Sequence, residues 1–123
     1  VEHLNLSFCR FTAAGLAPLA AWKRVKSIGL SQTRVNDSAM EVLARFDGLE
    51  EISLEYTTVT DAGFAKLAGL RHLRELRLDH TELTDASAKL LAGFPKLRYV
   101  DLYHTLVSQP AYEALRTALP ECT

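Results

Sequence analysis

The chain has 123 residues, about half of them hydrophobic and a quarter charged, with a formal net charge of −1. This composition is typical of one globular domain and excludes the disordered, collagen-like and disulfide-scaffold classes. The near-neutral charge argues against a general affinity for nucleic acid or acidic lipid. No apolar run approaches the roughly 18 residues that suggest a membrane-spanning helix.

The sequence repeats with a period of 24 residues and without gaps. The five repeats are residues 1–24, 25–48, 49–72, 73–96 and 97–120, followed by a tail at 121–123. Positions 1, 4, 6, 11, 16, 19 and 22 are apolar in every repeat. This regularity predicts one repeat domain over 1–123, because a unit of this size can bury its apolar faces only against neighbouring units.

Each repeat begins with a predicted strand and continues into a predicted helix. Apolar residues at positions 4 and 6, such as Ile52 and Leu54, alternate with polar neighbours. This is the two-residue period of a strand with one buried face. Positions 16 and 19, such as Phe64 and Leu67, recur at helical spacing. We therefore expect the strands of successive repeats to lie side by side in a parallel sheet, about 4.8 Å apart.

A residue that favours the start of a helix occupies position 12 of every repeat. The five residues are Thr12, Asn36, Thr60, Thr84 and Ser108. Their side chains can accept hydrogen bonds from the first free N–H groups of a helix. Asp37, Asp61 and Asp85 follow, where negative charge suits the helix dipole. Pro110 is expected in the first helical turn, where its missing N–H has no cost.

The segment LEEISLEYTTVTDAGFAKLAGL, residues 49–70, resembles the leucine-rich repeat. More narrowly, it resembles the 24-residue bacterial repeats with a V-T-D-A-G turn, which are related to the cysteine-containing type. The resemblance extends over all five repeats. It implies an α/β fold: a right-handed leucine-rich-repeat solenoid, or horseshoe segment, with a concave parallel sheet and short helices on its convex side. It also implies a non-catalytic protein-interaction module, although this fold binds very diverse partners.

Position 9 departs from most leucine-rich repeats, which have Asn there. The five residues are Cys9, Thr33, Thr57, Thr81 and Thr105. Because a hydroxyl can donate and accept, this row predicts a threonine ladder that satisfies buried turn carbonyls. Cys9 is interpreted as part of the ladder, and a reactive thiol is the alternative.

The two cysteines are expected to stay unbridged. Four repeat steps of about 4.8 Å place Cys9 and Cys122 roughly 20 Å apart, whereas a disulfide needs Cα atoms within about 7 Å. Together with the lack of a signal or membrane segment in the sequence, this favours the cytoplasm.

The predicted functional surface is the concave face of the sheet. It comprises the outward positions 3, 5 and 7 and the following position 8, which carry five acidic residues and a single basic one, Arg77. Tyrosines accompany them, and tyrosine is favoured at binding surfaces. The predicted partner-binding residues are Glu51, Glu55, Tyr56, Glu75, Arg77, Asp79, His80, Tyr99, Asp101, Tyr103 and His104. Charge complementarity predicts a protein or peptide of basic or mixed charge as the partner.

Chemistry at this face is the weaker interpretation. His80 and His104 lie in adjacent repeats near Asp79 and Asp101, and this set could supply zinc ligands. Such side chains are also common on surfaces, so no metal or cofactor is predicted. An open sheet is expected to give the carboxylates little desolvation to shift their pKa values. Because the sequence carries none of the common catalytic motifs, an enzyme is not predicted.

A second, basic strip precedes the strands. It comprises Lys23, Arg24, Lys26, Arg71, His72, Arg74, Lys96 and Arg98. Asp47 and Glu50 interrupt it, and non-specific phosphate binding needs several cationic contacts together. This strip is interpreted as a solvated edge, with no nucleic acid as a partner.

The first repeat lacks a polar cap, so its apolar residues would face an absent neighbour. Either the five repeats are the C-terminal part of a longer array, or another molecule covers this edge. The alternative function is therefore self-association into a homodimer through Phe8, Phe11 and Trp22.

Overall fold

The computed structural model describes residues 3–5, 25–32 and 36–120. Within these ranges, five strands of three residues form one parallel sheet in chain order. The strands are β1 His3–Asn5, β2 Ser27–Gly29, β3 Glu51–Ser53, β4 Glu75–Arg77 and β5 Tyr99–Asp101. The described helices are α1 Asp37–Leu43, α2 Asp61–Phe64 continued by a 3-10 turn at Ala65–Leu67, α3 Asp85–Leu91 and α4 Gln109–Ala118. This alternation confirms the predicted α/β solenoid.

Every strand pairs with the next at an offset of 24 residues. Ile28 lies beside Ile52, Ile52 beside Leu76, and Leu76 beside Val100. Equal positions of successive repeats therefore form rows that run across the sheet. The rows continue beyond the strands, because Leu54 N donates to Arg77 O at 2.8 Å.

The strands are shorter than the alternation suggested. Each strand ends at position 5, so the predicted outward positions 7 and 8 lie in the turn that follows. A backbone ladder still holds this turn, since Tyr56 N donates to Asp79 O at 3.2 Å and His80 N to Tyr103 O at 3.0 Å. The side chains of the turn are thus kept in register by main-chain bonds.

The core lies between the sheet and the helices. Ile52 on β3 and Leu54 just after it are fully or almost fully buried, as are Phe64 on α2 and Leu67 in the 3-10 turn, in agreement with the two predicted periods. Burial weakens in the last described repeat: Leu102 is only half-buried and Tyr112 is 42% exposed. The reason is positional, because β5 has a neighbouring strand on one side only.

The predicted threonine ladder is confirmed for three repeats. Thr57 Oγ1 donates to Leu54 O at 2.7 Å, and Thr81 Oγ1 donates to Leu78 O at 2.6 Å. Thr105 repeats the contact in the last repeat, with Leu102 O at 2.7 Å. Each hydroxyl therefore closes the turn that follows its own strand. Cys9, Thr33 and Cys122 lie outside the described residues.

Helix capping agrees with the sequence prediction at three positions and differs at one. The side chains of Asn36, Thr84 and Ser108 accept a hydrogen bond from a backbone N–H in the first turn of their helices. Thr60 accepts no such bond, although its hydroxyl donates to Asp37. Pro110 lies in the first turn of α4, as expected. Thr12 is outside the described residues.

The aspartates at position 13 join each repeat to the next, a role that the sequence reasoning did not assign. Asp37 Oδ1 accepts from Thr60 N at 2.7 Å, and Asp61 Oδ1 accepts from Thr84 N at 2.9 Å. Asp85 Oδ1 accepts from Ser108 N at 2.7 Å. In each case the hydroxyl of the same Thr or Ser donates to the second carboxylate oxygen. We call these contacts the aspartate bridges.

Two of the aspartate bridges, those of Asp61 and Asp85, stabilise the ionised carboxylates. Burial alone would raise the pKa of Asp61, but hydrogen bonds from Ser87 and Thr84 outweigh it and lower the pKa. The backbone N–H and hydroxyl of Ser108 likewise lower the pKa of Asp85. A carboxylate that accepts several hydrogen bonds favours its charged form. These two bridges are thus weakened by acid, as the pH falls through these lowered pKa values.

Across the described ranges, no helix combines the length and the apolar character needed to cross a lipid bilayer.

Candidate functional site

The strands place five of the predicted binding residues on one face of the sheet. Glu51, Glu75 and Tyr99 occupy position 3 and lie side by side by register. Arg77 and Asp101 form an equivalent pair at position 5. All five are half-buried. Glu51, Glu75 and Arg77 alternate with buried core residues, whereas Tyr99 and Asp101 flank Val100, which is itself half-buried. The six remaining predicted residues lie in the turns after β3, β4 and β5.

Arg77 is occupied by contacts within this face. Its Nη1 lies 3.2 Å from Glu75 Oε2, and its guanidinium lies over the ring of Tyr99, 5.3 Å from the centroid. A guanidinium favours this combination of a carboxylate and an aromatic face. The single basic side chain of the predicted set is therefore engaged with β4 and β5.

Asp79 is the most enclosed of the carboxylates for which the structure gives a side-chain exposure. Its side chain is 14% exposed, and its Oδ2 lies 2.9 Å from His80 Nδ1. Its Oδ1 is buried and has no hydrogen-bond partner among the described residues. A buried unpaired acceptor is unfavourable, because it has lost water without gaining a donor.

Burial raises the pKa of Glu55, and the negative charge of neighbouring Asp79 raises it further. For Glu55, this finding corrects the expectation that an open sheet would give a carboxylate little desolvation. Glu55 follows the end of β3, in a turn whose backbone bonds to the equivalent turn after β4 through Tyr56 N and Asp79 O.

Four rings form a continuous stack across the turns, which we call the ring column: Tyr56, His80, His104 and Tyr103. Tyr56 and His80 are stacked, with centroids 4.1 Å apart and planes at 12°. The ring centroids of His80 and His104 are 4.3 Å apart. The ring of Tyr103 lies edge-on to that of His104, with centroids 3.9 Å apart. Tyr56 is 50% exposed and Tyr103 is 67% exposed. The column therefore presents aromatic surface to the solvent at both ends.

The backbone beneath the ring column is left-handed. Tyr56, His80 and His104 have φ values of 59°, 58° and 57°, and Gln32 at the same repeat position has 54°. Non-glycine residues adopt this region rarely, and Gly or Asn adopts it most easily. Since Gln32 shares the conformation, the turn itself requires it. The rings are the particular feature of the later repeats.

Two grooves border the ring column. One, of about 520 Å³, lies over β2 and β3 and is lined by Tyr56, Glu55 and Glu51, with small residues such as Gly29 among the rest of its lining. The other, of about 570 Å³, lies beside β5 and α4 and includes Tyr103 and Tyr112. Both volumes fall within the range of ligand pockets. Each groove exposes one end of the column.

The sequence also suggested three weaker candidates: a metal site, a basic strip and a self-association edge. The described ranges contain no group of three or more His, Cys, Asp or Glu side chains arranged to hold a metal ion. In the basic strip, Arg74 Nη1 lies 4.0 Å from Glu50 Oε1, so Glu50 interrupts it as expected. Phe8, Phe11 and Trp22, the predicted self-association edge, lie outside the described residues.

Sequence reasoning found the members of the ring column but not their arrangement. It treated position 8 as an exposed continuation of the strand, whereas the structure has a strained turn with stacked rings. The available signal was the succession of Tyr56, His80 and His104 at one repeat position. The left-handed backbone had no signal, because none of these residues is Gly or Asn.

Comparisons with known proteins agree with this architecture. The sequence profile of the family described as Leucine Rich repeat matches residues 1–20 and 69–92. No curated protein matches the sequence of the chain.

Two solved structures are similar to the chain. One is a leucine-rich repeat protein of Leptospira interrogans, with a TM-score of 0.60 and 18% identity, covering 87% of this chain and 26% of that one. The other is an internalin of Listeria monocytogenes, with a TM-score of 0.62 and 14% identity, covering 100% of this chain and 46% of that one. The chain thus spans about a quarter and about half of their lengths.

The chain is a repeat protein with the leucine-rich repeat fold. Its parallel five-stranded sheet, its short helices and the two similar structures all support this conclusion. At these low identities the likeness concerns the fold, and function has to be argued from the residues on the sheet face and in its turns.

Proposed function

We propose that the chain is a non-catalytic protein-interaction module that binds a basic protein or peptide on the acidic face carrying the tyrosines and histidines. We also assign its repeats to the bacterial V-T-D-A-G type, because Asp61 of that motif forms an aspartate bridge to Thr84. The binding proposal depends on the charge and aromatic character of one surface rather than on the fold.

The observation that carries the proposal is the imbalance of charge on this face. Glu51, Glu55, Glu75, Asp79 and Asp101 lie in neighbouring rows, while Arg77 is already paired with Glu75. A surface with this excess attracts a cationic partner and repels nucleic acid. The exposed rings of Tyr56 and Tyr103 add aromatic area, which contributes strongly to protein interfaces.

A pair of charge-reversal variants tests the proposal. Glu75→Lys combined with Asp101→Lys changes the sheet face. Glu41→Lys combined with Glu113→Lys changes two exposed helix positions by the same net charge. Partners retained by the wild-type chain from an extract of its host are identified, purified and titrated against both variants by calorimetry.

We expect the sheet-face variant to bind the partner at least tenfold more weakly, since its charge complementarity is reversed. The helix-face variant should bind like the wild type. Equal affinity of both variants, or a greater loss in the helix-face variant, would show that the partner binds elsewhere.

A further inference from the structure

The uncovered side of Tyr56 is the starting point for a more specific assignment. His80 covers one face of the Tyr56 ring at a centroid distance of 4.1 Å, yet the residue remains 50% exposed. The groove over β2 and β3 is lined by Tyr56 and not by His80, so Tyr56 meets the groove with surface that His80 leaves free. An aromatic wall in a groove is a surface on which a planar group can stack.

The turn does not require an aromatic residue at the position of Tyr56. Gln32 has the same left-handed φ one repeat earlier, which shows that the turn forms without an aromatic residue. Asn or Gly would fit this conformation with less strain. Strained residues of this kind cluster at functional sites, so the aromatic ring of Tyr56 at this strained position indicates a role in binding.

Two carboxylates line the groove together with this ring. Glu55 adjoins Tyr56 in the chain, and Glu51 lies on β3. Arg77 also lines the groove, but its guanidinium is bound to Glu75 and lies over Tyr99. Burial and the charge of Asp79 raise the pKa of Glu55 although the charge of Arg77 lowers it, so Arg77 compensates the Glu55 carboxylate only in part.

The middle of the groove is low. Ser27 and Gly29 of β2 and Ser53 of β3 line it there, and none of them has a side chain longer than two heavy atoms. His3 and Asn5 of β1 border the groove on the side away from Tyr56. The small residues in the middle leave room above the strands for a long side chain from another molecule. The groove volume of about 520 Å³ is sufficient for such a side chain.

We propose that this groove receives an arginine side chain of the partner, whose guanidinium stacks on Tyr56 and donates hydrogen bonds to Glu55 and Glu51. The assignment rests on the proposed function and names the side chain that this face recognises. Arginine fits better than lysine because its guanidinium is planar, less strongly hydrated and able to bond carboxylates in a fork. The Arg77–Glu75–Tyr99 contact shows the same chemistry within the chain.

The test uses three peptides that differ in one side chain: acetyl-Gly-Arg-Gly-amide and its lysine and citrulline counterparts. Citrulline keeps the planar shape without the charge, and lysine keeps the charge without the plane. Each peptide is titrated into the isotopically labelled chain at low salt and followed by backbone NMR shifts.

We expect the arginine peptide to shift the signals of Gly29, Ser53 and Tyr56. It should bind at least tenfold more tightly than the citrulline peptide and several-fold more tightly than the lysine peptide. Equal affinity for lysine and arginine, or for citrulline and arginine, overturns the assignment. Shifts confined to the groove beside Tyr103 and Tyr112 overturn it as well.

Matched variants locate the site. Tyr56→Asn removes the ring but suits the left-handed backbone, so the fold is retained; thermal unfolding checks this. Tyr112→Asn is the control, because it removes an exposed ring on α4 that does not line the groove. The first variant should bind the arginine peptide about tenfold more weakly and the second like the wild type. Equal affinity in both variants overturns the role of Tyr56.

The outcome separates this inference from the proposed function. If the captured partner loses affinity for the Glu75→Lys and Asp101→Lys variant while the arginine peptide causes no shifts, the binding face stands and the arginine site is wrong. If the peptide binds as expected but no partner depends on the sheet face, the arginine site stands and the proposed function is wrong.

Discussion

Gly63 lies against the backbone of Asp37, where the second and third repeats meet. A Cβ added at Gly63 would lie 2.8 Å from the Cα of Asp37 and still closer to its carboxylate. Asp37 holds the start of the next helix through its aspartate bridge to Thr60. A glycine in this part of the V-T-D-A-G turn therefore permits the contact between repeats.

Gly63→Ala should destabilise the chain by about 1–3 kcal/mol, because the added methyl group displaces the Asp37 backbone. In an unhindered helix the same change is favourable by roughly 0.5–1 kcal/mol, so the sign reveals the clash. Gly69→Ala is the control, since its added Cβ has no heavy atom within 4 Å. Urea unfolding measures both, and an equal effect of the two changes would contradict the steric role of Gly63.

Glu55 opposes folding near neutral pH. Its pKa is higher in the folded state than the ordinary 4.5, so the folded state holds the proton more tightly. Its stabilising contribution is complete below the unfolded pKa and is lost as the pH rises through the folded pKa. At pH 7 the ionised side chain therefore reduces stability relative to a neutral one of the same shape.

Glu55→Gln should raise the free energy of unfolding at pH 7, by no more than about 1 kcal/mol because water screens a partly exposed charge. The gain should disappear at pH 3.5, where Glu55 is protonated in both states. Glu113→Gln, at an exposed helix position, is the control and should change little at either pH. A gain of the same size at both pH values would show that charge is not the cause.

At the scale of the elements, the turns after β3, β4 and β5 are closed by the threonine ladder. Thr57 and Thr81 are buried, at 5% and 4% exposure, and each donates to the carbonyl three residues earlier. These contacts lie just below the strained position that carries the ring column. The ladder and the backbone bonds between turns together hold Tyr56 and His80 in place.

Thr81→Val should cost about 1–3 kcal/mol, because it leaves the buried Leu78 carbonyl without its donor at nearly unchanged volume. Thr117→Val removes a bond of the same type, to Glu113 O, from an exposed helix. Water replaces that bond, so the cost should stay within about 0.5 kcal/mol. Thermal and urea unfolding compare the two, and losses of equal size would argue against a structural role for the ladder.

At the scale of the whole molecule, stability depends on neighbours. A solenoid repeat contacts only the repeats beside it, so a central repeat is packed on two sides and a terminal one on one side. Leu54 and Leu102 occupy the same repeat position, but Leu54 is fully buried and Leu102 is half-buried.

Leu54→Ala should therefore destabilise the chain by about 2–5 kcal/mol, as for a buried leucine in a packed core. Leu102→Ala should cost about half as much or less, because its side chain has already lost part of its packing. Chemical denaturation gives both values. A loss at Leu102 equal to the loss at Leu54 would indicate that another surface covers the last repeat in solution.

Much of the architecture could be predicted from individual residues. Alternation at Ile52 and Leu54 and helical spacing at Phe64 and Leu67 indicated the strand, the helix and the core. Thr81 at position 9 indicated the ladder. These predictions succeeded because the burial of apolar side chains and the hydrogen bonding of turn carbonyls require the same type of residue at the same position of each 24-residue repeat.

For the candidate site, the sequence indicated which residues belong to it but not how they are arranged. The charge imbalance around Arg77 was visible in the sequence, as were the aromatic residues Tyr56 and His80. Their stacking, the burial of Asp79 and the raised pKa of Glu55 were not, because they depend on how two turns pack together. The sequence also could not show that Arg77 turns towards Glu75 and Tyr99.

The sequence by itself determined the repeat, its strand and helix, and the rows of residues that face one another, since these follow from local periods and a constant offset. The tertiary structure alone decided the conformation at position 8. There, backbone bonds to the next turn hold Tyr56 and His80 in a left-handed form that their own preferences oppose, and His104 shares that form. Contacts between repeats, rather than any local signal, thus produce the ring column and the groove beside it.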